Sequence, residues 1–180
     1  MTQEASAFLG LGLEYGTVRI CDSDPRWPRA FEHLAARAQA ALGAMTVAVE
    51  HVGSTAVPGL AAKPILDIAV ALSPHAKTKD VVAALEPLGY IYRGDKGDQG
   101  GLLFVLEDRP AHRIAHLHAV RHDDAQWHRW MSFRDLLRTD PTARADYERL
   151  KRELAHQHPH NRQAYTTGKT SFVTTPRATN

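Results

Sequence analysis

The sequence predicts a single α/β (α+β) domain in which strands and helices mix first and helices fill the C-terminal third. Short β-branched runs stand between helical patterns up to about residue 120, whereas apolar residues recur only at helical spacing after Trp127. The chain has 180 residues, 43% hydrophobic and 23% charged, which suits one globular domain with its own core.

The first predicted elements are a short strand over Thr17–Cys21 and a long helix. Asp24 is predicted to cap this helix and Pro25 to occupy its first position. Apolar residues then recur at helical spacing as far as Gly43, which is a plausible stop.

The central strands are predicted from two β-rich runs separated by a turn of small residues. Thr46–Val52 is rich in β-branched residues, and Pro64–Leu72 is almost wholly apolar, which is typical of a strand covered on both faces. Asp67 is the exception within the second run. A helix over Val81–Leu88, ended by Gly89, follows.

The next segment, Gly94–Gly101, holds four glycines and is predicted to be a mobile loop. Two strands, Leu102–Leu106 and Arg113–Val120, should follow, joined by a turn over Glu107–Pro110.

The remaining elements are predicted to be helices. The first runs from Trp127 to Leu137, and Asp140-Pro141 caps the second, which should bury Tyr147, Leu150 and Leu154. The last holds Tyr165 and Phe172.

The domain is predicted to span residues 17–174, with flexible segments at 1–16 and 175–180, where small and polar residues dominate. The first residues lack a signal peptide's basic start and apolar run, and no stretch approaches the roughly 20 apolar residues of a membrane span. The single cysteine, Cys21, excludes an internal disulfide. We therefore expect a cytoplasmic protein with no membrane partner.

Charge and histidine content favour a small phosphorylated ligand. The net charge of +2 is too small to predict a nucleic-acid partner, and no basic stripe with interleaved aromatics is visible. Partial protonation of the 11 histidines near neutral pH would make the surface more basic. The oligomeric state is not indicated by any pattern.

The strongest chemical signal is Gly53-Ser54 at the end of one strand, with Asp67 on the next. Glycine lets a ligand approach the backbone, the turn offers N–H groups to an anion, and the serine hydroxyl can donate to phosphate. Asp67 is an acceptor suited to a divalent cation. The alternative is an ordinary turn beside a buried, hydrogen-bonded acid.

This arrangement resembles the DNA polymerase beta-like nucleotidyltransferase superfamily, in which Gly-Ser precedes Asp-x-Asp/Glu on the following strand. The resemblance implies a nucleotidyltransferase-like mixed sheet with flanking helices, triphosphate bound near Ser54 and Thr55, and Mg²⁺ or Mn²⁺ at Asp67. Ala69 departs from the pattern, because it stands where the second carboxylate would point to the same strand face.

A longer resemblance is carried by the string from Glu50 to Ile68 (EHVGSTAVPGLAAKPILDI), by His116–Val120 and by Phe133–Arg138. These blocks look like signatures of the GrpB family, whose tyrosines and lysines fall where Tyr147, Lys151, Tyr165 and Lys169 stand. The resemblance spans roughly residues 18–172. It implies the same fold without naming a substrate.

His116 and His118 point to one face of their strand because side chains alternate. If that face meets Asp67, the three could bind zinc, iron or manganese, act in catalysis or contact phosphate. The alternative is a pair of histidines satisfied by backbone or carboxylate partners. Of Glu50 and His51, at most one faces the site.

Several basic residues are candidates for binding the ligand. Arg134 and Arg138 lie one helical turn apart near apolar positions, where each needs an anion, either a protein carboxylate or a ligand phosphate. Lys63 and Lys169 are similar candidates, with simple surface exposure as the alternative.

Three functions fit these residues. The first is transfer of a nucleotidyl group from a nucleoside triphosphate such as ATP to a small molecule. The second is a non-catalytic module that binds a nucleotide or a coenzyme-A-like ligand, consistent with Ala69. The third is an ATP-dependent, ligase-like enzyme that uses His116 and His118 beside Asp67.

Overall fold

The computed structural model describes residue 8 and residues 10–174, which form a mixed sheet with helices on both faces. The strands are β1 (Leu13–Glu14), β2 (Thr46–Val52), β3 (Leu66–Leu72), β4 (Tyr90–Asp95), β5 (Leu102–Arg109) and β6 (His112–Arg121). The helices are α1 (Trp27–Leu42), α2 (Thr78–Leu85), α3 (Ala125–Thr139), α4 (Pro141–Gln157) and α5 (Arg162–Thr174). The predicted fold class is confirmed.

The sheet has the strand order β2-β3-β6-β5-β4, with β1 paired to the start of β6. Only the central pair β3 and β6 is parallel, and the other neighbours are antiparallel. Because β3 and β6 are both central, side chains that alternate along them reach both covered faces.

One face of the sheet packs against α1 and α2 in the largest apolar cluster. Ile68, Val70, Phe104 and Leu117 project into it and are inaccessible to solvent. The regular alternation of these strands places Asp67, Ala69, His116 and His118 on the other face.

The other face carries α3, α4 and α5 over two smaller apolar clusters. Asp140 caps α4 as predicted, because its carboxylate accepts hydrogen bonds from the N–H groups of Thr142 and Ala143 at 2.9 Å each. Of the residues predicted to be buried in α4, Tyr147 is buried, whereas Leu150 and Leu154 are half-buried.

Several local predictions are wrong. Thr17–Cys21 is not a strand, because only Cys21 pairs, in an isolated bridge with Ala62. Asp24 does not cap α1, because its carboxylate accepts hydrogen bonds from the backbone and side chain of Arg26, and Arg26 occupies the capping position.

The predicted Gly94–Gly101 loop also differs, because β4 continues through Asp95 before a short 3-10 turn at Gly97–Gln99. Strand β5 extends to Arg109, so the turn that joins it to β6 is shorter than the predicted Glu107–Pro110 turn.

β1 lies within the 1–16 segment that the sequence predicts to be flexible, and Leu11 and Leu13 are buried there. The predicted tail at 175–180 lies outside the described residues. Within the described part of the chain, no helix is long and apolar enough to cross a membrane.

Candidate functional site

The turn after β2 brings the backbone against Asp67. Gly53 has φ 69° and ψ −170°, and it leads into a 3-10 turn over Ser54–Ala56. A Cβ atom at position 53 would lie 2.5 Å from Oδ2 of Asp67, so there is no room for a side chain. Glycine is required here both by the positive φ and by this contact.

Strand register places the carboxylate between two neighbouring strands. Asp67 of β3 is opposite Val52 of β2 on one side and His116 of β6 on the other. His118 is opposite Ala69, one step further along the same face. The two central strands therefore form a floor that carries one carboxylate and two imidazoles.

This floor lies under a pocket of about 360 Å³ that α3, α4 and α5 close from above. The lining residues from the turn, the loop after it and the strands are Val52, Gly53, Ser54, Thr55, Ala62, Lys63, Ile65, Asp67, His116 and His118. Those from the helices are Trp130, Phe133, Tyr147, Lys151, Arg162, Tyr165, Thr166, Lys169 and Val173.

Lys151 links α4 to the Gly-Ser turn from within the protein. Its side chain is almost fully buried, and its Nζ donates hydrogen bonds to the Ser54 hydroxyl, at 3.0 Å, and to the carbonyl of Ala61. Tyr147, one helical turn earlier, also hydrogen-bonds Ser54, and burial raises the pKa of Tyr147. The serine hydroxyl is thus positioned by two α4 side chains.

A second group of cations lies beside Tyr165. The Nζ atoms of Lys63 and Lys169 are 5.1 and 4.6 Å from the centre of the Tyr165 ring. Burial, together with the charge of Lys169, lowers the pKa of Lys63 to about 7. The same two causes lower the pKa of Lys151 to about 7.

Burial also lowers the pKa of Lys169. Among the described residues that line the pocket there are four basic side chains and one carboxylate, that of Asp67. An anionic ligand in this space would therefore neutralise buried positive charge and favour the protonated lysines.

The three floor residues face one another closely. Nδ1 of His116 lies 3.3 Å from Oδ1 of Asp67, and Nδ1 of His118 donates to the carbonyl of Gly100 at 3.2 Å. One ligand atom from each of Asp67, His116 and His118 lies within 4.8 Å of the other two. The group therefore has the composition and spacing of a three-residue metal site.

The protonation states of these groups follow from burial and from each other. Burial lowers the pKa of His116 and of His118, and the nearby Asp67 charge offsets this only in part. Burial raises the pKa of Asp67, but the hydrogen bond from His116 and the surrounding positive charges outweigh it and hold that pKa below its usual value. At neutral pH the carboxylate is ionised and the imidazoles are neutral.

Arg134 and Arg138 do not reach the pocket lining. Arg134 pairs with Glu50, at 2.7 Å, and with Asp135, and it also donates to the carbonyl of His51. Arg138 donates twice to the carbonyl of Ala56, at 2.8 and 3.1 Å. Both arginines therefore hold the backbone on either side of Gly53 and Ser54. Their partners are carboxylate and carbonyl groups of the protein itself.

Neither Glu50 nor His51 lines the pocket. Glu50 is engaged by Arg134, whereas His51 lies on the α1 side of the sheet, stacked on Phe31 with ring centres 4.5 Å apart. Burial lowers the pKa of His51 to about 4, and its Nε2 lies 3.0 Å from the Thr55 hydroxyl.

The structure thus gathers eight of the predicted site residues in the pocket lining and excludes two, Arg134 and Arg138. Those gathered are Gly53, Ser54, Thr55, Lys63, Asp67, His116, His118 and Lys169. Lys151, Tyr147, Tyr165, Arg162 and Thr166 also line it and were not predicted as site residues. Helical spacing is the signal that relates them, since 147 and 151, like 162, 165, 166 and 169, share one helix face.

Ala69 is fully buried in an apolar cluster with Val52 and Trp127. The position of the missing second carboxylate is therefore filled by packing and offers no space to an ion.

Comparisons with known proteins find a family model, relatives and a solved structure to which the chain is similar. The family model described as "GrpB protein" matches residues 17–177. A UPF0157 protein of Pseudomonas aeruginosa is 40% identical over 161 residues, covering 87% of this chain and 64% of the relative, so the chain spans slightly less than two thirds of that protein.

Two further similar proteins carry the GrpB name. The "Glutamate-rich protein GrpB" of Alkalihalophilus pseudofirmus is 31% identical, over 91% of this chain and 95% of the relative. The crystal structure of conserved protein GrpB from Enterococcus faecalis superposes with a TM-score of 0.77 at 33% identity, over 86% of this chain and 92% of that one.

Proposed function

Since the chain belongs to the GrpB family, we propose that it binds the phosphates of a nucleoside triphosphate in the Ser54 pocket and transfers a nucleotidyl group to a small molecule. The observation that carries this proposal is that the described lining brings four basic side chains and one carboxylate together around a glycine-serine turn.

The phosphate end of the ligand is assigned to the Ser54 side of the pocket. Ser54 offers a hydroxyl that Lys151 and Tyr147 already orient, and Lys151 lies 3.0 Å from it. Hydrogen bonds from charged donors to phosphate are about twice as strong as neutral ones. Lys63 and Lys169, on the Tyr165 ring, extend this positive surface far enough for more than one phosphate group.

In the transfer, an acceptor hydroxyl bonds to the α-phosphorus, the bond to the pyrophosphate oxygen breaks, and the hydroxyl proton is released to solvent. Negative charge then accumulates on the departing pyrophosphate. Lysines already positioned around it stabilise that charge without reorganising, which is the main electrostatic contribution that a protein makes to such reactions.

A pair of magnesium ions, as the superfamily resemblance implies, does not fit the floor. Magnesium prefers oxygen ligands in an octahedron, whereas the described floor offers one carboxylate and two imidazoles. Ala69 is buried against Trp127 and leaves no second carboxylate. No step of the proposed transfer therefore depends on a magnesium pair.

Ala69 also favours a second candidate function, a binding module without catalysis. In this case the pocket would hold a nucleotide or a coenzyme-A-like ligand through the same lysines. Both functions require ligand binding in the pocket, but only the transferase converts the bound ligand to products. Binding and turnover are therefore measured separately.

The binding test is calorimetry with ATP, CTP and coenzyme A, each with and without Mn²⁺, on the wild type, Lys151→Met and Asp67→Ala. We expect Lys151→Met to weaken triphosphate binding by about tenfold or more, because a hydrogen bond from a charged group is removed. Lys79→Met, at an exposed lysine of α2, is the matched control and should bind as the wild type does.

Equal affinity in Lys151→Met and Lys79→Met would remove the Ser54 pocket as the phosphate site. Asp67→Ala should weaken triphosphate binding measured in the presence of Mn²⁺. Unchanged affinity would show that Asp67 is not part of the binding site. Release of pyrophosphate during a screen of acceptors then separates the transferase from the binding module.

A further inference from the structure

We infer that Asp67, His116 and His118 bind one divalent transition-metal ion, of the zinc, manganese or ferrous class, in place of a magnesium pair. This inference deepens the proposed function and rests on it only for the ion's part in phosphate chemistry. Binding of the ion is a separate property, which can be measured without nucleotide.

The spacing of the floor residues fits one ion. Nδ1 of His116 and Oδ1 of Asp67 are 3.3 Å apart, joined by a hydrogen bond that metal bonds from both atoms would replace once the imidazole proton moves from Nδ1 to Nε2. Two ligands with metal bonds of about 2.0–2.2 Å in a tetrahedron lie roughly 3.4 Å apart. His118 completes a set in which all three ligand atoms are within 4.8 Å of one another, close enough to share a single ion.

A backbone carbonyl determines which nitrogen of His118 is free to bind. Because Nδ1 donates to the carbonyl of Gly100 at 3.2 Å, the lone pair belongs to Nε2. Metal-binding histidines almost always donate their other N–H to a carboxylate or carbonyl in this way. Trp130 packs on the same ring, with centres 5.5 Å apart, and limits its rotation.

The approach of this carbonyl depends on a glycine. Gly100 has φ 145°, and a Cβ atom there would lie 2.9 Å from Nδ1 of His118. A side chain at position 100 would therefore displace the imidazole. Gly97, in the same turn, also has a positive φ, but a Cβ atom there would meet nothing within 4 Å.

The donor set decides the class of ion. Imidazole ligands suit zinc, iron and related ions, and manganese accepts mixed sets, whereas magnesium favours oxygen and retains its waters. The open side of the ion would face Ser54 and the lysines, where a phosphate oxygen can complete its coordination.

The experiment is titration of the metal-free full chain with Co²⁺, followed by its visible absorption, and with Zn²⁺ and Mn²⁺, followed by calorimetry. We expect one ion per chain, absorption typical of nitrogen and oxygen ligands, and no displacement by millimolar Mg²⁺. His116→Gln and His118→Gln should each lose the signal, whereas His128→Gln, at an exposed histidine of α3, should retain it.

Gly100→Ala provides a test that leaves every ligand in place. We expect it to weaken Co²⁺ binding by about 10–100-fold, as loss of an outer-shell partner does. Gly97→Ala should bind as the wild type does. Circular dichroism of each variant checks that it is folded.

Binding that survives both histidine substitutions, or that Mg²⁺ displaces, would overturn the inference. Equal Co²⁺ affinity in Gly100→Ala and Gly97→Ala would show that the Gly100 carbonyl does not orient His118 for metal binding. If Co²⁺ binds as expected while no triphosphate binds, the metal inference stands and the proposed function fails.

Discussion

The two faces of the sheet are built from the same strands but are filled in different ways. On the α1 and α2 side, alternate residues such as Ile68 and Leu117 enter one large apolar cluster. On the α3–α5 side the apolar layer is divided in two, and the pocket opens between the halves. Asp67 and His116 stand next in sequence to Ile68 and Leu117, so a single strand pair serves both purposes.

This difference separates stability from function within one domain. Buried apolar area on the first face supplies much of the free energy of folding. Burial of Lys63 and Lys151 on the second face disfavours their charged forms, as their lowered pKa values show. The apolar face therefore offsets the energetic cost of keeping buried cations ready for an anion.

The largest expected effect on stability is Phe104→Ala, on the apolar face. Phe104 is fully buried among the α1 and α2 residues, and its removal should cost about 3–5 kcal/mol of unfolding free energy. Denaturant titration measures the loss. Ligand affinity measured on the remaining folded protein should be close to that of the wild type, and a specific loss of affinity would contradict the division between faces.

Gly53→Ala should have the next largest effect, because it disturbs the pocket face directly. The substitution places a Cβ atom against Asp67 in addition to straining a positive φ, at a cost of about 1–3 kcal/mol. Gly59→Ala is the matched control, since Gly59 has a similar φ of 76° but a Cβ atom there would meet nothing within 4 Å. If both variants lose equal stability, the contact with Asp67 is not the reason for glycine.

The pH dependence follows from Lys63 and Lys151. Their pKa of about 7 in the folded protein lies below the roughly 10.4 of an unfolded lysine, so the unfolded chain binds more protons between these values. The free protein should therefore gain stability as the pH rises from 7 towards 10, with no contribution from these groups to the pH dependence below 7. Thermal unfolding at several pH values checks the direction.

Ligand binding should show the opposite trend. A phosphate group favours the ammonium forms, so binding takes up protons, and affinity should fall above pH 7 by at most about tenfold per pH unit for each lysine involved. Calorimetry in buffers of different ionisation enthalpy measures the uptake. Binding without proton uptake at pH 8 would exclude both lysines as phosphate ligands.

The smallest expected effect is that of Arg138→Met. This side chain is partly exposed, donates to the carbonyl of Ala56 and lies 3.7 Å from the carboxylate of Asp135, so we expect a loss of about 1 kcal/mol of unfolding free energy. Because the Ser54 turn would be held less firmly, ligand dissociation should accelerate. Arg149→Met, at an exposed arginine of α4, should leave the dissociation rate unchanged.

Much of the fold could be predicted because the central strands follow simple rules. Thr46–Val52 is a strand with the predicted bounds, and Leu66–Leu72 lies within the predicted apolar run. The edge strand β4 was not predicted, since Arg93, Gly94 and Asp95 resemble a loop, and only the pairing with β5, which is irregular between Tyr92 and Asp95, identifies the segment as a strand. Strand β1 was not predicted for the same reason, because its two residues form a strand only by pairing with β6.

The residues of the candidate site that lie on β3 and β6 could be predicted from the sequence, whereas those on the covering helices could be predicted only in part. Alternation along β6 places His116 and His118 on one face, and register with β3 brings them to Asp67. The same kind of argument placed Arg134 on the inner side of its helix, but helical spacing cannot tell a ligand anion from Glu50. Lys151 reaches Ser54 across 97 positions of sequence, a contact that no local pattern contains.

That long separation has a consequence for how the protein is made. The sheet is complete once β6 has emerged, and Ser54, Asp67, His116 and His118 are then already in place. Lys151, Arg162 and Lys169 are synthesised later, on α4 and α5. A nascent chain therefore has its carboxylate, its imidazoles and Lys63 in place before the other three basic residues of the pocket, which join only when α4 and α5 pack on the finished sheet.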